Sequence, residues 1–113
     1  MKRWLAWLPS LAPRRSGTRL FDLDVLDQWL VVTLARFGPC SYRRLEAELG
    51  AIRAAAPAEV VEALLKLEQL SLVQRNEPSG LMLEERRFAL SRSGRRLSRL
   101  VPAEPRSPTI FYL

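Results

Sequence analysis

The chain has 113 residues, of which 48% are hydrophobic, enough for one domain with one packed core and too apolar for a wholly disordered protein. It contains no histidine and one cysteine, Cys40, so the commonest general base, the commonest nitrogen metal ligand and an internal disulfide are all missing. The net charge of +6 is unevenly placed: residues 1–20 carry five bases and no acid, and residues 91–113 carry five arginines against Glu104, while residues 21–90 hold eight bases and eleven acids. Two basic ends therefore flank a mildly acidic centre.

No apolar run approaches the ~18–20 residues of a membrane span, the longest being Trp4 to Leu8. That stretch follows a charged start but is too short for a secretory core, and no small-residue cleavage site comes after it. A lone cysteine suits a reducing compartment, so a cytoplasmic location and no membrane span are the expectations. Catalysis has little to work with. The glycines are scattered rather than gathered into a phosphate loop. Asp22, Asp24 and Asp27 cluster at a helix start, where the helix dipole accounts for them. No enzyme activity, cofactor or metal is expected.

Along the chain, residues 1–19 form a basic arm in which Pro9 and Pro13 oppose a continuous helix and Trp4 and Trp7 make an aromatic patch. The spacing of Leu26, Trp29, Leu30, Leu34 and Phe37 predicts a helix over about 24–37, capped by Asp22 or Asp24 and stopped by Gly38-Pro39. Ser41 caps a second helix to Leu49, with Tyr42, Leu45 and Leu49 as its buried stripe and Gly50 as its terminator. Pro57 opens a third, to Leu70, with an apolar arc of Val60, Val61, Ala63, Leu64, Leu65, Leu67 and Leu70. Its opposite face carries Glu59, Glu62, Lys66 and Gln69.

The period then shortens. Leu72–Arg75 and Arg87–Leu90 read as strands around a Pro78-Ser79-Gly80 turn, with a bulge expected near residues 84–86. Ser91 or Ser93 caps a last short helix holding Leu97, Leu100 and Val101. The expected core is Leu26, Leu30, Leu34, Leu45, Leu49, Leu64, Leu67 and Phe88. These elements divide the chain into an arm (1–19), a domain (20–101) and a tail (102–113) ending in Ile110-Phe111-Tyr112-Leu113.

Leu70-Ser71-Leu72-Val73-Gln74-Arg75, followed by Arg87-Phe88-Ala89-Leu90-Ser91-Arg92-Ser93-Gly94-Arg95-Arg96-Leu97, resembles the exit from a recognition helix and the closing strand of a wing. Both patterns are similar to those of MarR-like and PadR-like bacterial regulators, over roughly residues 24–101, with Ser91 where the pattern has Thr. The resemblance implies an α+β winged helix-turn-helix: three helices, a two-stranded β-hairpin wing and a short C-terminal helix. It makes the helix from Pro57 the recognition helix, the helix from Tyr42 its support and Arg75–Arg87 the wing. The implied partner is double-stranded DNA, bound by a dimer that regulates transcription.

The residues expected to meet DNA are Arg43 and Arg44, Glu59, Glu62, Lys66 and Gln69 on the reading face, and Arg86, Arg87, Arg95 and Arg96 on phosphates. The reading face is net negative, and the wing tip, with Leu81 and Met82, is apolar. These features support a second expectation, a winged helix that assembles a complex with a protein partner. Trp4, Trp7, Leu81, Met82, Phe111 and Tyr112 are then the partner or dimer contacts. Cys40, between the first two helices, reads as a small buried residue in preference to a redox sensor.

Overall fold

A computed structural model describes residues 19–53, 56–75 and 86–113, so Trp4, Trp7, Leu81, Met82 and residues 84–85 of the expected bulge lie outside the described residues. The elements are β1 (Leu20–Leu23), α1 (Val25–Phe37), β2 (Cys40–Ser41), α2 (Tyr42–Arg53), α3 (Pro57–Gln69), β3 (Val73–Arg75), β4 (Arg87–Leu90), α4 (Arg92–Ser98) and β5 (Thr109–Tyr112). Strands β2, β4 and β3 form one antiparallel sheet in that order, and β1 pairs with β5 in another. The order from α1 to β4 is that of a winged helix-turn-helix, with β2 as the third strand beside the wing.

Helix α1 is the centre. Every residue from Asp27 to Leu34 is buried, more than two full turns, so the helix is covered on all sides. It begins at Asp24, whose extended backbone N–H donates to Asp27 Oδ2 at 2.9 Å. It ends at Gly38, whose φ of 76° suits glycine and whose N–H donates to the Leu34 carbonyl. Ser41 caps α2 by accepting from the Arg44 N–H, and the Tyr42 hydroxyl donates to the Pro57 carbonyl at 3.1 Å, tying the start of α2 to the start of α3. All the expected core residues are buried except Leu26, which is partly buried against the same cluster.

Two short strands add to the expected elements. Phe21 and Leu23 alternate with exposed Leu20 and Asp22 in β1, and Phe111 is buried between exposed Ile110 and Tyr112 in β5. The segment expected as a tail is therefore packed into the domain. Buried Gln28 helps to hold it, its Nε2 donating to the carbonyls of Leu23 at 3.1 Å and Ser107 at 2.9 Å. In the reverse sense, Phe37 and Leu100, expected on apolar stripes, are exposed.

The two motifs meet at one point. Ser71 leaves α3 with a φ of 64°, a left-handed conformation that turns the chain sharply into β3. The Leu72 carbonyl then accepts the Ser91 N–H at 2.9 Å, while the Ser91 hydroxyl donates to the Ser71 carbonyl at 2.6 Å and accepts from the Gly94 N–H at 3.0 Å. A hydroxyl is needed here and a methyl is not, which explains why serine serves where the pattern has threonine. Gly94 lies so close that a Cβ would sit 2.1 Å from the Leu72 carbonyl oxygen. Gly94→Ala should therefore lower stability by about 1–3 kcal/mol despite alanine's better helix propensity. A urea midpoint equal to that of the wild type would show that α4 is not docked on this carbonyl.

Candidate nucleic-acid interface

On α3, Val60, Ala63, Leu64 and Leu67 are buried. At 100° per residue the direction opposite their centre falls on Ala58, Glu62, Leu65 and Gln69, all exposed. Leu65, expected within the buried arc, is 50% exposed in the middle of this outward stripe. Glu59 and Lys66 stand to one side of it, toward α1, and Val61 and Glu68 to the other, toward the wing strands. The four residues expected as one reading face are thus divided: Glu62 and Gln69 point outward, while Glu59 and Lys66 are engaged elsewhere.

The Glu59 carboxylate accepts the Ala56 N–H at 3.0 Å and closes the first turn of α3. Lys66 Nζ is 2.7 Å from Oδ2 of Asp27, whose side chain is 3% exposed. This ion pair bridges α3 to the start of α1. Burial works against the ammonium, but the Asp27 hydrogen bond and the charges of Asp27, Asp24 and Asp22 outweigh it and hold the Lys66 pKa above its ordinary 10.5. On the other flank, Arg75 Nε of β3 lies 2.6 Å from Glu68 Oε2, which pairs a charge that borders the buried face of α3. Beside it, Val61, Leu64, Leu65, Glu68, Arg75, Arg86 and Phe88 line a mostly apolar groove of about 310 Å³ between α3 and the wing strands.

The arginines gather around the start of α2 and along β4 and α4. Arg43 and Arg44 are exposed in the first turn of α2, and Arg44 stacks 4.6 Å over the Phe37 ring. Ser41 pairs with Arg87 across the β2–β4 ladder, and Arg87 donates to the Pro39 carbonyl at 3.2 Å. Arg86 lines the groove beside α3. Residues 86–99 hold six arginines and no acid. On α4, buried Gly94 and Leu97 face inward, so Arg92, Arg95, Arg96 and Arg99 share the outer face; Arg95 also donates to the Leu90 carbonyl. Helix α4 packs on α1 and β4, so Arg95 and Arg96 stand apart from the outward stripe of α3.

Buried Cys40 lies close to this collar. Burial pushes its thiol up, more than Arg44 and Arg87 pull it down, and Glu48 adds to the rise. The thiol donates to the Gly38 carbonyl at 3.2 Å, as a packed, protonated side chain does. Arg44 is four residues along the chain from Cys40, whereas Arg87 approaches it only through the β2–β4 pairing. Of the expected contact residues on β5, Phe111 is buried in the core and Tyr112 is exposed. Among the described residues, no helix is long and apolar enough to cross a membrane.

The fold has solved counterparts. A variant of ZitR from Lactococcus lactis aligns with 82% of this chain and 56% of its own at a TM-score of 0.56 and 15% identity. AbfR in its disulfide-formed state aligns with 66% of this chain and 48% of its own at a TM-score of 0.51 and 21% identity. At these identities the likeness is one of fold. The chain spans about half the length of the structures it matches. No protein-family model and no curated protein sequence matches it.

Since Asp27 is buried, losing its cation would leave a carboxylate with one backbone donor. Lys66→Ala should cost about 1–2 kcal/mol near neutral pH, toward the low side because the ammonium is partly solvated. A raised folded-state pKa means that the pair's contribution is complete below the ordinary value of 10.5 and is lost as pH rises through the folded value. The variant should lack that part of the alkaline destabilisation. Identical urea midpoints for both proteins across this range would refute the assignment.

Proposed function

We propose that this chain is a winged-helix transcriptional regulator that binds double-stranded DNA as a homodimer, mainly through phosphates and with weak sequence preference. The observation that carries this reading is the arginine collar, Arg43 and Arg44 on α2 with Arg87 across the sheet, at the mouth of the helix-turn-helix. In such folds a helix end enters the major groove while flanking bases hold phosphates and set the register. The fold shared with ZitR is compatible with the same reading.

The outward stripe of α3 explains the weak preference. Gln69 can pair with adenine, Leu65 can meet a thymine methyl, and Glu62 can accept from cytosine while repelling phosphates. Lys66 is withdrawn from the role by Asp27. The basic arm, with Arg14 and Arg15, adds sequence-independent affinity. MarR-like or PadR-like membership belongs to the same proposal, as do phosphate contacts by Arg86, Arg95 and Arg96.

A second reading is favoured by one observation, the half-exposed Leu65 beside the apolar groove to Phe88. A protein partner seated there, with Leu81 and Met82 of the wing tip and Trp4 and Trp7 of the arm, would make the domain an assembly module.

Affinity for duplex DNA as a function of salt separates the two. Replacing Arg43 and Arg44 together by alanine should reduce the slope of log affinity against log salt by about 1.8, two phosphate contacts' worth, and weaken all sequences alike. Gln69→Ala should cost at most ~1–3 kcal/mol, and only on a preferred site. Leu65→Lys should strengthen DNA binding if α3 faces the duplex, and destroy partner capture if it faces a protein. An unchanged salt slope in the double arginine variant would sink the DNA reading.

A further inference from the structure

The ribbon of β1 and β5 has an unpaired edge on each side among the described residues. Its inner face carries Phe21 opposite Phe111, both buried on the core. Its outer face carries Leu20 opposite Tyr112, then Asp22 opposite Ile110, with Leu20, Ile110 and Tyr112 exposed by 63%, 52% and 64%. Three large apolar side chains on one small ribbon are a concentration of exposed hydrophobic surface that marks contact sites.

Backbone geometry says how that contact is made. Arg19 and Leu113 exchange both backbone hydrogen bonds, at 2.8 and 3.0 Å. In an antiparallel ladder bonded and non-bonded pairs alternate, so Phe21–Phe111 and Leu23–Thr109 are the next bonded pairs. The N–H and C=O groups of Ile110 and Tyr112 therefore point away from β1, to the free edge of β5. Those of Leu20 and Asp22 point to the free edge of β1.

From this we infer that β5 pairs antiparallel with β5 of a second copy, centred on Phe111; the inference rests on the homodimer in the function proposed above. A two-fold axis there sets Ile110 opposite Tyr112 of the partner subunit, and Tyr112 opposite Ile110 of the partner subunit. The outward backbone groups then meet in bonded pairs. Side-chain parity agrees: the outer face pairs a β-branched residue with an aromatic one twice, a favourable cross-strand combination. The inner face becomes a continuous row of four phenylalanines, Phe21 and Phe111 from each copy. The same operation on β1 would set Leu20 against Asp22 of the partner subunit and bring a carboxylate to the seam, the kind of residue that protects an edge from pairing. The contact is isologous and closes as a dimer. A seam of one short strand buries far less than the ~800 Å² per partner of a standard interface, so the affinity is on the order of micromolar or weaker.

The test uses the full chain without DNA. Sedimentation should show a monomer–dimer equilibrium, and amide exchange at Ile110 and Tyr112 should slow as concentration rises while that at Leu20 and Asp22 does not. Ile110→Lys should weaken the dimer by about tenfold and leave the circular dichroism melt unchanged, whereas Leu20→Lys, equally exposed on the other strand, should leave the dimer intact. A chain that stays monomeric at every concentration overturns the proposal. So does a dimer in which the Ile110 and Tyr112 amides exchange at monomer rates. Duplex binding is scored separately on the same samples, and its absence would remove the DNA reading while the seam stands.

Discussion

The Leu72 carbonyl is the point on which the second half of the domain turns. It lies just after the left-handed Ser71, accepts the Ser91 N–H, and is approached so closely by Gly94 that no side chain fits between. Two chain segments 20 residues apart in sequence meet there, the exit of α3 and the passage from β4 into α4. Because β3 follows directly from Leu72 and β4 ends beside Ser91, this junction sets where the wing strands start and finish. A buried carbonyl with one strong donor and no spare volume tolerates very little sliding of any segment against the others.

The charges of α3 are spent largely on seating the helix. Glu59 closes its first turn, Lys66 reaches back to Asp27 under α1, and Glu68 pairs with Arg75 on β3. What is left facing outward is a stripe of Ala58, Glu62, Leu65 and Gln69, with little positive potential. Positive charge lies off that helix, on the first turn of α2 and through residues 86–99. A duplex held by such a surface is gripped through its backbone more than read through its bases, and its affinity falls steeply with salt.

Much of this could be read from the amino acids. Helices α1 and α3 announced themselves because their apolar stripes run for about three turns, and Gly38-Pro39, Ser41, Pro57 and Ser91 marked helix ends by turn and cap chemistry. The second motif was legible because Ser91 and Gly94 serve local needs at fixed spacing. Strands β1 and β5 were not: Leu20–Leu23 and Thr109–Tyr112 are four residues each, and each alternates only in the light of a partner about ninety residues away. The site was partly legible for the same reason. A helical wheel shows that α3 has an apolar arc, but the centre of that arc is set by α1 and β3, which pack on it, and this decides that Leu65 faces out. The engagement of Lys66 by Asp27 and the approach of Arg87 to Cys40 are likewise products of the assembled fold.

The pairing of the two ends has a further consequence, for the order in which the chain folds. Contacts among α1, α2 and α3, and between β3 and β4, join segments close in sequence, whereas β1 and β5 must close a loop of about ninety residues. The entropy of so long a closure is only ~0.6 kcal/mol worse than for half the length, so the ribbon is affordable once formed. It is slow to find, however, because non-local pairings wait for the local ones that bring their strands together. Of the strand pairings described, the ribbon joins the residues farthest apart in sequence. A chain with its ends undone still has its three-helix centre, but shows Phe21, Leu23 and Phe111 to solvent at once. Exposed apolar surface beside unpaired strand edges is the combination that favours aggregation.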